Sequence, residues 1–294
     1  MNIVFIGCVE SSYVLLKTLI KNDKSIVGVV TKGKSTFNSD FASLISLCEQ
    51  QNIPYILQDQ ENTQSVEVFI KNKKPDLLYC FGWSHLLPDN ILNTARVGCI
   101  GFHPAELPDN KGRHPLIWAL VLGLERTASS FFLMTDEADA GGIISQKVIS
   151  IEEDDDSKTL YKKVLEAAQV QVLEFTDDIE KLGKIRIIKE NIGGNAWRKR
   201  GVMDGSIDWR MSSRAIYNLV RGLTHPYAGA HFVHDCRDVK VWKVAIWTEA
   251  VPRNYEPGKI IEVFQDHTYL IKTYDGAIHV LESEEVFLQA GEYL

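Results

Sequence analysis

A chain of 294 residues is long enough for one large domain or two moderate ones, and 45% hydrophobic with 24% charged residues is an ordinary globular balance. A formal net charge of −7 argues against broad electrostatic capture of nucleic acid or of an anionic membrane, while leaving room for a small anion held by a few local cations. No run approaches the roughly 18 continuous apolar residues of a membrane span. The opening MNIVFIG lacks a basic n-region and a cleavage site and reads as a first strand. Five scattered cysteines without a CxxC pair suit a reducing compartment, so a cytoplasmic protein with no metal site is expected.

The first half of the chain alternates in character. NIVFIG (2–7), SIVGVVT (25–31), PYILQ (54–58), DLLYCFG (76–82) and VGCIGFH (97–103) are short apolar runs bounded by turn residues. Helical patterns such as SYVLLKTLIKN (12–22) and DFASLISLCEQQ (40–51) fall between several of them. This predicts an α/β fold with a Rossmann-like, mostly parallel sheet covered by helices on both faces. One helix, PLIWALVLGL (115–124), precedes two more strands, TASSFFLM (127–134) and GIISQKVIS (142–150).

A long amphipathic helix is expected from about Ser157 to Leu182, with Ser157 as N-cap and Gly183 as the stop. IKENIGGNAWRKRGVMDGS then reads as an extended connector, rich in Gly, Asn and basic residues. One more helix, MSSRAIYNLVRGL (211–223), leads to short alternating strands within 239–282, the pattern of a small C-terminal β-barrel of OB-like kind. The expected division is a catalytic domain at 1–185, a linker at 186–203 and a barrel at 204–294.

Four stretches bear on chemistry. IGCVESS ends the first strand without a GxGxxG, so a dinucleotide crossover is not supported; Ser11 and Ser12 stand at a helix start where a phosphate or carboxylate could sit, and a plain turn explains them equally well. GCIGFHPAELP (98–108) puts His103 before a proline, which holds it extended at the strand's end, on the side where open α/β sheets form their ligand crevice. TDEADAGGIISQ (135–146) follows another strand, and Asp139 at the same edge would orient or charge-stabilise an imidazole. FGWSHLLP (81–88) also leaves a strand there, with apolar and aromatic residues able to wall a flat ring; core packing is the alternative.

HPAELP, with NKGRHP, DEADAGG and DGSIDWRMSSRAIYNLVRGLTHPYAGA, resembles the folate-dependent formyltransferase family over nearly the whole chain. Its members act on methionyl-tRNA, on glycinamide ribonucleotide and on amino sugars of nucleotide sugars. The resemblance implies N10-formyltetrahydrofolate as formyl donor, with an Asn-x-His pair and a downstream Asp around the formyl group. By motif the His falls on His103 and the Asp on Asp139. The Asn falls on Gly101, which has no amide to offer. Asn110, in the loop directly after His103, is the candidate substitute; His114, a bound water or an inactive protein are the other readings. The resemblance also places the pteridine between His85, Leu86 and Leu87 on one side and Met134, Asp136 and Asp139 on the other.

For the acceptor amine, residues 200–294 hold ten Lys or Arg against thirteen Asp or Glu, a poor face for tRNA phosphates. FGWSHLLP, NKGRHPLIWALVLGL and TKGKSTFNSDF look most like the nucleotide-sugar branch, and within it like enzymes of pseudaminic-acid type pathways. The implied partner is a small nucleotide sugar, a UDP-linked 4-amino-4,6-dideoxy hexose, with neither nucleic acid nor membrane. Ser12, Lys34, Lys111 and Arg113 are the candidates for its diphosphate. Methionyl-tRNA formyl transfer and a non-catalytic folate or nucleotide-sugar binder are the alternatives. Whether the chain forms a homodimer is left open.

Overall fold

Successive residues of the first strand point to opposite buried faces, as a sheet covered on both sides requires: Ile3 and Phe5 join one apolar cluster, Val4 and Ile6 another. The computed structural model describes residues 1–34, 40–58 and 62–294. In chain order its elements are β1 (Ile3–Ile6), α1 (Glu10–Lys21), β2 (Ile26–Thr31), α2 (Ile45–Gln50), β3 (Tyr55–Leu57), α3 (Thr63–Lys73), β4 (Leu77–Cys80) and α4 (Asp89–Leu92). Then come β5 (Gly98–His103), β6 (Lys111–Gly112), α5 (Pro115–Val121), β7 (Arg126–Leu133), β8 (Ile143–Ser150), α6 (Ser157–Leu182) and β9 (Ala196–Trp197). The rest is α7 (Ser213–Leu223), β10 (Ala230–His234), β11 (Arg237–Ile246), β12 (Ile260–Val263), β13 (Tyr269–Lys272) and β14 (Ala277–Ser283). Two units divide the chain: Met1–Pro115, Thr127–Ile149 and Lys162–Trp197 form the first, and Leu116–Arg126, Ser150–Tyr161 and Arg198–Leu294 the second.

In the first unit seven strands run in the order β3-β2-β1-β4-β5-β7-β8, parallel through β5. Leu15, Leu16 and Leu19 of α1 and Ala168, Val172, Phe175 and Ile179 of α6 pack with Ile3, Phe5, Leu77 and Tyr79. Val66 and Ile70 of α3 and Ile91 of α4 pack with Val4, Ile6, Leu78 and Cys80. Each fully buried Leu, Ile or Phe contributes about 1.5–3 kcal/mol over its exposed state, which holds the strand ends where the site is built. At the start of α6 the cap is Asp156, whose Oδ1 accepts from the N–H groups of Lys158 and Thr159, both at 2.8 Å. Ser157, the expected cap, is instead the first helical residue. Gly183, at φ +69, ends that helix as expected.

One strand departs from the parallel pattern. β7 runs antiparallel to β5, pairing Ile100 with Leu133 and His103 with Ser130. The loop carrying Asp139 therefore begins level with the middle of β5 and has to return along the sheet to reach His103. The alternation of strands and helices carried no sign of this reversal, because a buried interior strand is apolar in either direction.

The second unit holds α7 and a five-stranded antiparallel sheet in the order β10-β11-β14-β13-β12, a barrel-like arrangement. Ile216, Leu219, Val220 and Leu223 of α7 share one core with Trp209, Phe232, Val241, Ile271 and Ile278. Ser212 caps this helix, accepting from the Ala215 N–H at 3.1 Å. No helix among the described residues is long and apolar enough to cross a membrane.

Candidate active site

His103 ends β5 and is 5% exposed. The loop after it is fastened by the Ser130 hydroxyl, which donates to Ala105 O at 2.6 Å, and by Gln146 Nε2, which donates to Leu107 O at 2.9 Å. The His103 ring lies 2.8 Å from Asn110 O through Nε2. A carbonyl only accepts, so the proton is on Nε2. Asn110 sits at φ +64 and its own N–H donates to Asn195 Oδ1 at 2.9 Å. What Asn110 gives the histidine here is its backbone carbonyl.

Asp139 arrives from the other loop. Its Oδ2 is 3.7 Å from His103 Nδ1 and accepts from the Gly112 N–H at 3.0 Å. At 3.7 Å the pair is longer than a hydrogen bond but close enough for the carboxylate charge to act on the ring. Asp139 is in the left-handed region, φ +53, and its carbonyl accepts from Asn191 Nδ2 at 2.7 Å. The tight approach at Gly141, where a Cβ would stand 1.6 Å from Leu133 O, explains the first of the paired glycines of DEADAGG, and at the second, Gly142, a Cβ would stand 2.7 Å from Ile187 Cγ2.

Gly101 faces the same side of β5 as His103, two residues on. Its cross-strand partner is Phe132, and a Cβ at 101 would lie 2.6 Å from Phe132 Cζ and 3.0 Å from Met134 Cγ. Phe132 is 4% exposed and packs with Leu107 and Ile143, so shifting its ring would disturb a packed cluster. The place where an asparagine side chain would start is thus occupied by apolar atoms. The glycine is the complement of Phe132.

Of the expected donor-slot residues, Leu86 is 60% exposed while Leu87 is 5% exposed and belongs to the core under the loop. Met134 is half-buried, with its sulfur 3.6 Å from that of Cys99, and Asp136 is exposed. Around His85 the structure brings together Trp83 and Arg113 with Lys32, which the sequence reading passed over. The Lys32 ammonium is 4.9 Å from the Trp83 ring, Trp83 is 6.4 Å from His85, and Arg113 Nη1 donates to Ser84 O at 3.1 Å. Burial, with the charges of Lys32 and Arg113, pushes the His85 imidazole below the usual histidine value. Lys32 follows a strand directly, one place past the run at 25–31, and that position was the available signal.

The diphosphate candidates fare unevenly. Ser12 is fully buried: its hydroxyl donates to Phe81 O at 2.6 Å and accepts from the Val9 N–H at 3.1 Å. The first turn closes on itself through this serine, so Ser12 is corrected from ligand contact to turn closure. The Lys111 ammonium donates to Gly193 O at 3.1 Å. Lys34 is exposed, and residues 35–39 of the stretch TKGKSTFNSDF lie outside the described residues. Among the described residues no group of three His, Cys, Asp or Glu could hold a metal ion.

With this geometry in view, known proteins can be compared. The formyl transferase profile matches residues 1–176, and that of the formyl transferase C-terminal domain matches residues 202–286. A bifunctional polymyxin resistance protein ArnA of Wigglesworthia glossinidia brevipalpis is 31% identical over 264 residues. That match takes in 89% of this chain and 40% of ArnA, so the chain spans less than half of that relative. A methionyl-tRNA formyltransferase of Caldanaerobacter subterraneus subsp. tengcongensis is 27% identical over 97% of this chain and 92% of its own length. Among solved structures WlaRD, a sugar 3N-formyl transferase in the presence of dTDP and 5-N-formyl-THF, superposes with a TM-score of 0.71. It is 15% identical, with 98% of this chain and 99% of that one covered, a likeness of fold. Matched in both of its parts, and over 176 of its 294 residues by the first alone, the chain belongs to the formyl transferase family.

Proposed function

We propose that this formyltransferase, drawing on formyl-tetrahydrofolate, delivers the formyl group to the amine of a nucleotide-linked amino sugar, a 4-amino-4,6-dideoxy hexose carried by UDP. The observation that carries the chemistry is the buried His103 ring with Asp139 at 3.7 Å, brought together from the end of β5 and the loop after β7. The small-molecule acceptor is supported by the acidic balance of residues 200–294 and by the likeness of fold to a sugar formyltransferase. A pseudaminic-acid type sugar is the form of this acceptor that the motifs suggest. Against it stands the tRNA reading, favoured by the 27% identical relative.

The residues present suit the donor. Leu86 offers an exposed apolar side chain, half-buried Met134 follows β7, and the Trp83 ring beside Lys32 suits a flat group that carries an anion. His85, Leu86, Met134, Asp136 and Asp139 would hold it, with Leu87 as support beneath. When bound, the donor supplies an activated formyl carbon.

His103 and Asp139 do the rest. Nε2–H is committed to Asn110 O, so Nδ1 is the nitrogen that faces the carboxylate. As the amine attacks, His103 stabilises the charge that grows on the formyl oxygen through that same Nε2–H, which passes from Asn110 O to the more strongly accepting oxyanion. Asp139, facing Nδ1, takes the proton that the amine gives up, through a water. One proton is lost by the amine and one is gained by the departing nitrogen, so both side chains return to their starting state. Phe132 and Met134 fill the side-chain space beside Gly101, so a second donor has to come from elsewhere, and loss of one such donor typically costs about 10²–10³ in turnover. Asn110, held at φ +64 beside the ring, is our candidate.

The test is an assay with formyl-tetrahydrofolate and UDP- and dTDP-amino sugars alongside methionyl-tRNA. Formylated sugar is expected; formylated tRNA alone would move the enzyme to the translation branch, and donor binding without turnover would make it a binder. His103→Ala and Asp139→Asn should each lower kcat by at least about 10²-fold. Near-normal turnover in His103→Ala would end the mechanism. Asn110→Gly suits the left-handed backbone, so its kcat reads the side chain alone.

A further inference from the structure

Residues 177–201 lie between the two matched regions, and those from 186 onward were expected to be a linker. In the first unit this stretch is built into the site. Ile143 N–H donates to Lys189 O at 2.9 Å, and β9 pairs in parallel with β6, Lys111 against Ala196 and Gly112 against Trp197. A Cβ at Gly194 would be 1.9 Å from Pro108 O, so the chain here lies directly on the loop that follows His103.

Two asparagines of this stretch reach the two halves of the pair. Asn191 Nδ2 donates to Asp139 O at 2.7 Å and to Gly141 O at 2.9 Å, gripping the turn on both sides of Ala140. Only an NH₂ group can bridge two carbonyls, which fixes the orientation of this amide. Asn195 takes hold of the other loop. Its Oδ1 accepts from Asn110 N at 2.9 Å and its backbone carbonyl from Lys111 N at 3.1 Å, and Asn110 O is the acceptor of His103 Nε2. The register set by β9 also places the Gly112 N–H, on which the Asp139 carboxylate rests.

A second observation bears on Asn191. The residue is 4% exposed, and its Oδ1 is buried without a hydrogen-bond partner among the described residues. A buried acceptor left unpaired is unfavourable, so packing does not account for an amide here. Its donor side does.

We propose that Asn191 and Asn195 are positioning residues for the His103–Asp139 pair, Asn191 holding the carboxylate's turn and Asn195 the carbonyl that orients the ring. The inference rests on the reading of that pair as the formyl-transfer machinery.

The full chain is compared with Asn191→Ala, Asn191→Asp and Asn195→Ala in formyl transfer and by ¹⁵N-histidine NMR, the His103 signal being assigned by its loss in His103→Ala. A displacement of about 1 Å at reacting groups can cost on the order of 10²-fold, so each variant should lower kcat by about 10- to 100-fold while the donor KM stays within about threefold. His103 should be the Nε2–H tautomer in wild type and a mixture of both in Asn195→Ala. Asn191→Asp keeps the size of the side chain and sets an acceptor against two carbonyls, so it carries the test if Asn191→Ala does not fold. Unchanged kcat in the folded variants, or a loss confined to KM, overturns the proposal. If wild type formylates nothing, the functional reading falls by itself; the tautomer then decides this one, a mixture in Asn195→Ala supporting it and a wild-type spectrum overturning it.

Discussion

At position 101 the hydrogen of a glycine meets the edge of a phenylalanine ring, and the pair behaves as a single choice. Gly101→Ala forces a methyl to within 2.6 Å of Phe132 Cζ, and overpacking of this kind costs about 1–3 kcal/mol. In a Phe132→Ala background, where the ring is gone, that cost should fall by more than half, which a double-mutant cycle in urea measures. Full additivity would mean that the two residues do not compete for the same space. His85 carries the second prediction at this scale. Burial, Lys32 and Arg113 hold its imidazole below the usual value, so the ring stays neutral above that value and charges only as pH falls through the lowered one. Lys32→Ala removes one of the repelling charges, and the NMR titration of His85 should move up. An anion bound beside these cations should move it the same way, so its affinity rises as pH falls. An unmoved titration would mean that Lys32 does not reach this ring. Gly101 and His103 were legible from the motif; Phe132 and Lys32 were not, because only the cross-strand register and the loop paths bring them in.

Helices and strands were easier to read than their directions and contacts. The run 12–22 and the stripe of α6 follow from apolar spacing alone, since a face that must bury Leu15, Leu16 and Leu19 repeats with the helical period. The two-residue strands β6 and β9 have no pattern to detect, yet they fix the loop after His103. Ser12 was open to two readings because a hydroxyl at a helix start can serve a ligand or its own turn, and here it accepts from Val9 N–H and donates to Phe81 O. At Ser212 the same chemistry is a cap in the plain sense, the side chain accepting from Ala215 N–H as α7 begins. Ser212→Ala should cost about 0.5–2 kcal/mol of stability in the second unit. Ser212→Gly should cost only a few tenths. Chemical denaturation of both variants checks this, and equal losses would mean that the cap is idle.

Whole units are where sequence order and structure part company. The chain was expected to pass from a catalytic domain at 1–185 through a linker at 186–203 to a barrel at 204–294, but the second unit also draws on Leu116–Arg126 and Ser150–Tyr161. Those pieces are structural parts of it. Ile117 belongs to its hydrophobic core, and Trp118 stacks against the guanidinium groups of Arg198 and Arg200 at 5.3 and 4.6 Å while its indole N–H donates to Arg198 O at 3.0 Å. The Arg221 guanidinium of α7 donates to the carbonyls of Glu152, Glu153 and Asp155, each within 3.1 Å. A fragment of residues 204–294 would leave this partly buried cation without those acceptors and open the core at Ile117. Removing one partner of a buried hydrogen-bonded group costs about 1–3 kcal/mol, more for a charged one, against a total that is small for so short a chain. The fragment should therefore melt without a cooperative transition by circular dichroism, while the full chain melts cooperatively. A sharp transition in the isolated fragment would show that the barrel strands and α7 hold a complete core, and that the two inserted pieces add little to its stability.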